Sequence, residues 1–333
     1  MIDLHIHLDG SLSKYDILSF ARYENKHLIA KDLVVSVGDD CTSLNDYLKL
    51  FTLPLSLMQT TYAIKTSVAC LMFRLFTQGI IYTEIRFAPQ LHTRNGLTQT
   101  QVVEAAIEGI KKGALETNGA INAQLILCCM REKNNEKENL ETIHIANKFL
   151  RKGVCAVDLA GAEGLFPTSS FEKIFKVAKD LKIPFTIHAG EASGAASVHN
   201  AIMFGAKRIG HGVRAIENES ILQEAIDNKV VFEFCPTSNV QTRTLSSIKK
   251  LPLREYINRG ALVTINTDNV TVSETSIKKE FVKVINEFSL SKEEVKQLLL
   301  NSAHGAFIND EEKKALAARI NRDFNEWYSS LII

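Results

Sequence analysis

With 333 residues, 45% of them hydrophobic and 23% charged, the chain is long and apolar enough to bury a large core in one domain spanning 1–333. A formal net charge of +1 gives no global attraction to nucleic acid or an anionic membrane, no long Lys/Arg run gives a local one, and no apolar run approaches the roughly 20 residues of a membrane span. The six cysteines (Cys41, Cys70, Cys128, Cys129, Cys155, Cys235) lack Cys-x-x-Cys spacing and no basic-then-apolar leader opens the chain, so a reduced cytoplasmic protein with no evident protein partner is expected.

The first predicted element is a strand over Ile2 to Leu8. Side chains of an extended chain alternate, so Ile2, Leu4, Ile6 and Leu8 share one face while Asp3, His5, His7 and Asp9 share the other. Two imidazoles about 7 Å apart along such a strand can converge on one cation, given a rise of roughly 3.3 Å per residue. A half-buried strand whose polar face happens to carry histidine is the plainer alternative. In the long excursion that follows, Leu44, Tyr47, Leu48 and Phe51 stand at i, i+3, i+4 and i+7 and predict one short helix with an apolar stripe. That stripe is either core or the inner face of a lid that excludes water from a bound substrate.

Further strands are predicted at Ile80 to Phe87, Ile121 to Met130, Val154 to Ala160, Ile183 to Ala189, Arg208 to His211, Val230 to Cys235 and Leu262 to Asp268. Helices are predicted among them over Gln101 to Thr117, Glu138 to Lys152, Ser170 to Leu181, Ser220 to Asn228 and Ser246 to Asn258. Eight strands alternating with helices predict an α/β fold, a (β/α)8 TIM barrel with extra helices after strand one and at the C-terminus. No strand runs into Gly-x-Gly-x-x-Gly, which argues against a dinucleotide-binding sheet.

Ionisable residues cluster where strands end. His5, His7 and Asp9 close the first, His188 the fifth with Glu191 just beyond, His211 the sixth between Gly210 and Gly212, and Asp268-Asn269 the eighth. In a barrel these ends meet at one mouth, where active sites form. His5, His7 and His188 offer three neutral nitrogens and Asp268 an anionic oxygen, a set suited to Zn²⁺ and tolerable for other divalent transition metals. One position stays open for a water whose pKa a bound zinc lowers toward about 7. Strand four ends Val157-Asp158-Leu159-Ala160-Gly161, without a lysine to bridge two metals, so one metal is expected. Glu84 and Arg86 read as a buried structural pair, His27, His92 and His144 as ordinary surface residues, and His199 and His304 give no ligand geometry.

His5-Ile6-His7-Leu8-Asp9-Gly10-Ser11-Leu12, His188-Ala189-Gly190-Glu191, Gly210-His211-Gly212, Cys235-Pro236-Thr237-Ser238-Asn239 and Asn266-Thr267-Asp268-Asn269 resemble, in order, the motifs of the adenosine deaminase family of metal-dependent amidohydrolases. The resemblance implies hydrolytic removal of the 6-amino group of adenosine, and of 2'-deoxyadenosine, in purine salvage. It implies that Glu191, still protonated, gives a proton to purine N1, and that His211 and Asp268 handle the attacking water. Substrate would meet His7, Gly161 through its backbone, Asp9 at the ribose 5'-hydroxyl and Asn269 at N7. The best-known members carry aspartate at this last place; an asparagine amide donates to N7 at any pH. Relatives acting on adenine or on N6-modified AMP share the resemblance but typically carry Glu or Asn where Asp9 stands. A non-catalytic purine-binding descendant would need a missing ligand or acid, and none is missing.

Overall fold

In the computed structural model, which describes residues 1–38 and 40–331, the opening alternation becomes strand β1 (Ile2–His7). Leu4 packs outward on the helix Lys292–Gly305, and His5 turns inward to reach Glu233 across the barrel. Seven strands follow: β2 (Tyr82–Phe87), β3 (Asn122–Arg131), β4 (Val154–Gly161), β5 (Thr186–Ala189), β6 (Arg208–His211), β7 (Val231–Phe234) and β8 (Leu262–Ile265). They pair in parallel as two four-stranded runs, β1-β2-β3-β4 and β5-β6-β7-β8.

Two seams join the runs. Val157 on β4 bridges Phe185, its N–H donating to Pro184 O at 3.1 Å. Ile6 on β1 bridges Asp268, where His7 N–H donates to Asp268 O (2.7 Å) and Asp268 N–H to His5 O (2.8 Å). The eight strands thus form the ring of a (β/α)8 barrel, in which each parallel step needs a crossover and helices supply most of them. Outward residues such as Ile85, Val157, Ile187, Ile209, Phe232 and Val263 are wholly buried in the main core.

The extra helices lie where expected: Lys14–Tyr23, Leu44–Lys49, Thr52–Leu57 and Thr61–Thr77 after β1, and Ile277–Phe288, Lys292–Gly305 and Asp310–Ser329 at the end. Two predicted helices are corrected. Ser246 to Asn258 is a short turn at Ile248–Lys250 followed by the helix Leu253–Asn258, because Pro252 has no N–H to continue a helix across it. The apolar stripe lies not on one helix but on Leu44–Lys49, with Phe51 at the start of Thr52–Leu57. The last regular strand is also shorter than predicted, ending at Ile265, with Asp268 beyond it at a left-handed φ of 60°. Among the described residues no helix is long and apolar enough to cross a membrane.

The barrel interior under the mouth is ionic. Arg86 donates to Asp158 (3.0 Å) and Glu233 (2.9 Å), and Arg208 donates to Glu233 and Glu84, both at 2.5 Å. Glu84 and Arg86 are therefore buried and structural but not each other's partner. Two residues along a strand separate them by about 6.6 Å, which puts them in different layers. His92 is likewise no surface residue: it is buried, its Nδ1 donates to Met58 O at 2.8 Å, and burial lowers its pKa to about 4.

Candidate active site

The ends of β1, β5 and β6 bring four imidazoles together. Ring centroids of His5 and His188 lie 4.6 Å apart, those of His5 and His211 5.0 Å, and those of His7 and His188 5.2 Å. Nitrogens of His5, His7 and His188 fall within 4.8 Å of one another, and Asp268 Oδ1 approaches Nε2 of His5 at 3.5 Å and of His7 at 3.4 Å. His211 and Cys235 also come within 4.8 Å of His5 and Asp268. Burial, and then the charge of Asp268, push the Cys235 thiol well above its ordinary value.

Two of these histidines are oriented by acids on their far nitrogens. His5 Nδ1 donates to Glu233 (2.8 Å), and His188 Nδ1 lies 2.9 and 3.1 Å from the two oxygens of Asp158. A proton fixed on Nδ1 turns the lone pair of Nε2 toward the centre. His5 Nε2 is buried with no hydrogen-bond partner, a cost that a cation at the centre would remove. The donor set therefore fits a divalent metal. Asp158 and Glu233 do not follow from motif spacing; their signal is a charge inside an otherwise apolar strand.

The charge states divide the labour. Burial would raise the Asp268 carboxyl, but the imidazoles around it, His5 foremost, hold it well below its ordinary value, so it is ionised. His7 and His211 are held well below theirs chiefly by burial and are neutral. Glu191 goes the other way: burial first, then the charges of Asp268 and Glu163, raise it well above 4.5, so that it carries a proton. Its Oε2 lies 3.6 Å from His211 Nε2, while Asn239 donates to His211 Nδ1 at 3.1 Å and so leaves the imidazole proton on the side of Glu191. His211, like Asp268, adopts φ 60°, a conformation non-glycine residues hold only when their surroundings impose it.

Glu163, which sequence reasoning misses, holds the loop that carries Glu191. Its buried carboxylate accepts backbone N–H groups from Gly190 (2.8 Å), Glu191 (3.0 Å), Ala192 (2.6 Å) and Ser193 (2.9 Å), and the Ser197 hydroxyl (2.5 Å). One charged group thus fixes four successive donors, and with them the direction of the acid.

A cavity of about 270 Å³ opens onto this cluster, lined by His7, Asp9, Gly161, His188, Glu191, His211, Asp268 and Asn269 among others. His5 lies behind it, fully buried. Leu44, Tyr47, Leu48 and Phe51 all face the same cavity. Tyr47 and Phe51 belong to a small apolar cluster separate from the main core, and the Tyr47 hydroxyl sits 2.7 Å from Ser273 Oγ. Asp9 is buried with Oδ1 unpartnered, and burial raises its pKa to about 6. Gly10 makes room for Asn269: a Cβ there would stand 1.8 Å from Asn269 Oδ1. Gly161 ends β4 at φ 105°, a backbone that L side chains rarely adopt.

A parallel barrel with histidines and an ionised aspartate gathered at its C-terminal mouth defines a hydrolase of the metal-dependent amidohydrolase class. The chain belongs to the adenosine deaminase family, whose model matches residues 1–323. It is 48% identical over 332 residues to the adenosine deaminase of Haemophilus ducreyi, a match covering 97% of this chain and 96% of that protein. Among solved structures, the N6-methyl-AMP deaminase of Arabidopsis thaliana superposes with a TM-score of 0.85 at 25% identity over 98% of this chain and 97% of its own. A zinc-bound amidohydrolase of Burkholderia ambifaria shares the fold, with a TM-score of 0.88 at 20% identity over 99% and 92% of the two chains.

Proposed function

We propose that the protein hydrolyses adenosine, and 2'-deoxyadenosine, to the corresponding inosine and ammonia, with one Zn²⁺ at the mouth of the barrel, in a reducing cytoplasm where its six cysteines stay free. The observation that carries this reading is a protonated, buried carboxyl (Glu191) sharing one small cavity with the His7, His188 and Asp268 donors. A substrate that must gain a proton on one ring atom while water attacks its neighbour uses both.

His5, His7, His188 and Asp268 would hold the metal, which supplies Lewis acidity that makes a water nucleophilic near neutral pH. Glu191 gives its proton to purine N1 as C6 is attacked, relieving the cost of breaking aromaticity. Asp268, ionised, takes a proton from the attacking water, and neutral His211 orients that water and steadies the developing charge. That proton then passes to the 6-amino group, which leaves as ammonia while the C6 hydroxyl gives up its remaining proton to restore Glu191, leaving the 6-oxo product. Gly161 offers a backbone N–H and Asn269 an amide N–H to the purine. Asp9 accepts from the ribose 5'-hydroxyl and opposes a 5'-phosphate by like charge, which favours the nucleoside over N6-modified AMP. The apolar side chains from Leu44 to Phe51 exclude bulk water.

The test is loss of purine absorbance with purified protein and adenosine, 2'-deoxyadenosine, adenine or N6-methyl-AMP at equal concentration. Adenosine should be turned over with the highest kcat/KM. Preference for adenine or the modified nucleotide would overturn the substrate, and inactivity toward all four, with zinc added, would overturn the reaction.

A further inference from the structure

A second cavity, of about 930 Å³, lies at the opposite end of the barrel beside the segment running from His304 to Asn309. That segment is pinned across the barrel bottom, with Arg208 donating to Gly305 O (2.9 Å) and Phe307 N–H to Glu84 (2.6 Å). The cavity floor is apolar, with Val154, Ile183, Val231 and Phe307, and the Arg208 guanidinium lies 3.9 Å from the centre of the Phe307 ring.

The rim is basic. Four successive turns leading into strands each contribute one cation: Arg151 before β4, Lys182 before β5, Lys207 before β6 and Lys229 before β7; Lys179 and Lys313 add two more. None of the six forms an ion pair or a side-chain hydrogen bond among the described residues. Glu312 is the one carboxylate in the wall, and it already accepts Asn309 N–H at 3.1 Å. Helix ends attract basic residues, which accounts for Arg151, Lys182 and Lys229. It does not account for Lys207, nor for Lys313 in the first turn of Asp310–Ser329, where the helix dipole disfavours a cation. The field reaches a neighbour: after burial, the charges of Lys313 and Lys229 are what lower the pKa of His304. Gln124, also in the wall, has a buried side-chain oxygen without a partner.

We propose that this cavity binds a nucleoside polyphosphate, its phosphates spread across the cationic rim and its base lying on the apolar floor. The volume lies in the range of sites for ligands of that size. Six cations against one carboxylate round one concavity focus a positive potential that a multiply charged anion relieves.

The experiment is calorimetric titration of the full chain with GTP, with inorganic tripolyphosphate and with a short single-stranded RNA. GTP should bind saturably, one per chain, and more tightly than tripolyphosphate. The double substitution Lys207→Gln and Lys229→Gln should weaken GTP by at least roughly tenfold, since charge-assisted bonds to phosphate are the strong ones. Removing an equal charge outside the cavity, by Lys249→Gln and Lys250→Gln, should change binding by less than about twofold, since neither lysine lines the cavity and solvent ions screen charges away from it. Adenosine turnover without GTP should be unaltered in both. Absence of saturable GTP binding, equal weakening by the two double substitutions, tripolyphosphate binding as tightly as GTP, or preference for the RNA would each overturn the assignment.

Discussion

Replacing Glu163 by glutamine tests whether the reaction depends on how the acid's loop is held. The five donors around Glu163 divide between its two oxygens: Gly190 N–H and the Ser197 hydroxyl on one, Glu191, Ala192 and Ser193 N–H on the other. An amide has only one acceptor, so whichever way it turns, at least one buried N–H faces NH₂ and loses its partner, at about 1–3 kcal/mol. If the loop relaxes to recover that bond, Glu191 moves off its line to the substrate. The expected result is a fall in kcat of roughly 10- to 100-fold, since each 1.36 kcal/mol is tenfold, with KM changed less than about threefold. A second readout separates this from simple destabilisation. Glu163 is one of the charges that raise the pKa of Glu191, after burial and Asp268. Glu191 must be protonated to act, so activity falls as pH rises through its pKa. Removing the neighbouring charge lowers that pKa and should move the alkaline limb of the kcat profile to lower pH. Glu163→Asp, which keeps the charge, should leave that limb nearer its original position. Wild-type kcat and an unmoved alkaline limb in a Glu163→Gln protein that merely melts earlier would refute the reasoning.

Arg86→Met leaves buried Asp158 without a guanidinium partner and Glu233 with Arg208 alone, and should destabilise the fold by about 3–5 kcal/mol, read as a lowered melting temperature by circular dichroism. Asp9, with a pKa raised to about 6, accepts best when ionised, so KM for adenosine should rise as pH falls through that value, and Asp9→Asn should flatten the dependence. Leu48→Ala opens the roof over the cavity; steady-state kinetics should show a higher KM with melting barely changed, and the reverse would place Leu48 in the core. Dialysis against a chelator should abolish turnover and Zn²⁺ should restore it; full activity of verified metal-free protein would remove the metal from the reaction.

What can be read from the sequence is whatever local period and strand position determine. Alternation in Ile2 to Leu8 predicts which way His5 and His7 point, and eight apolar runs, four of them ending in ionisable residues, predict both the barrel and a shared mouth. What escapes is set by partners distant in the chain. Nothing near Glu163 says that it will receive the backbone of Gly190 to Ser193. Nothing near Glu84 and Arg86 says that Arg208, Asp158 and Glu233 will divide them between layers. His92 sits in a loop-like stretch and is buried only because Met58 comes to meet it. Proline decides the broken helix before Leu253, a signal present in the sequence and outweighed there by the apolar pattern around it.

The bridge between Ile6 and Asp268 has a consequence for how the enzyme comes into being. The backbone bonds that stitch the first strand to the last also set the side chain of Asp268 beside His5 and His7. Bringing such distant stretches of chain together carries a loop-closure cost, and contacts of that sequence separation slow folding. A nascent or nicked polypeptide missing its final strand therefore holds His5, His7 and His188 but not the acid. The acid joins those imidazoles only when the ring is closed, so the complete donor set and the closed barrel are one and the same structure.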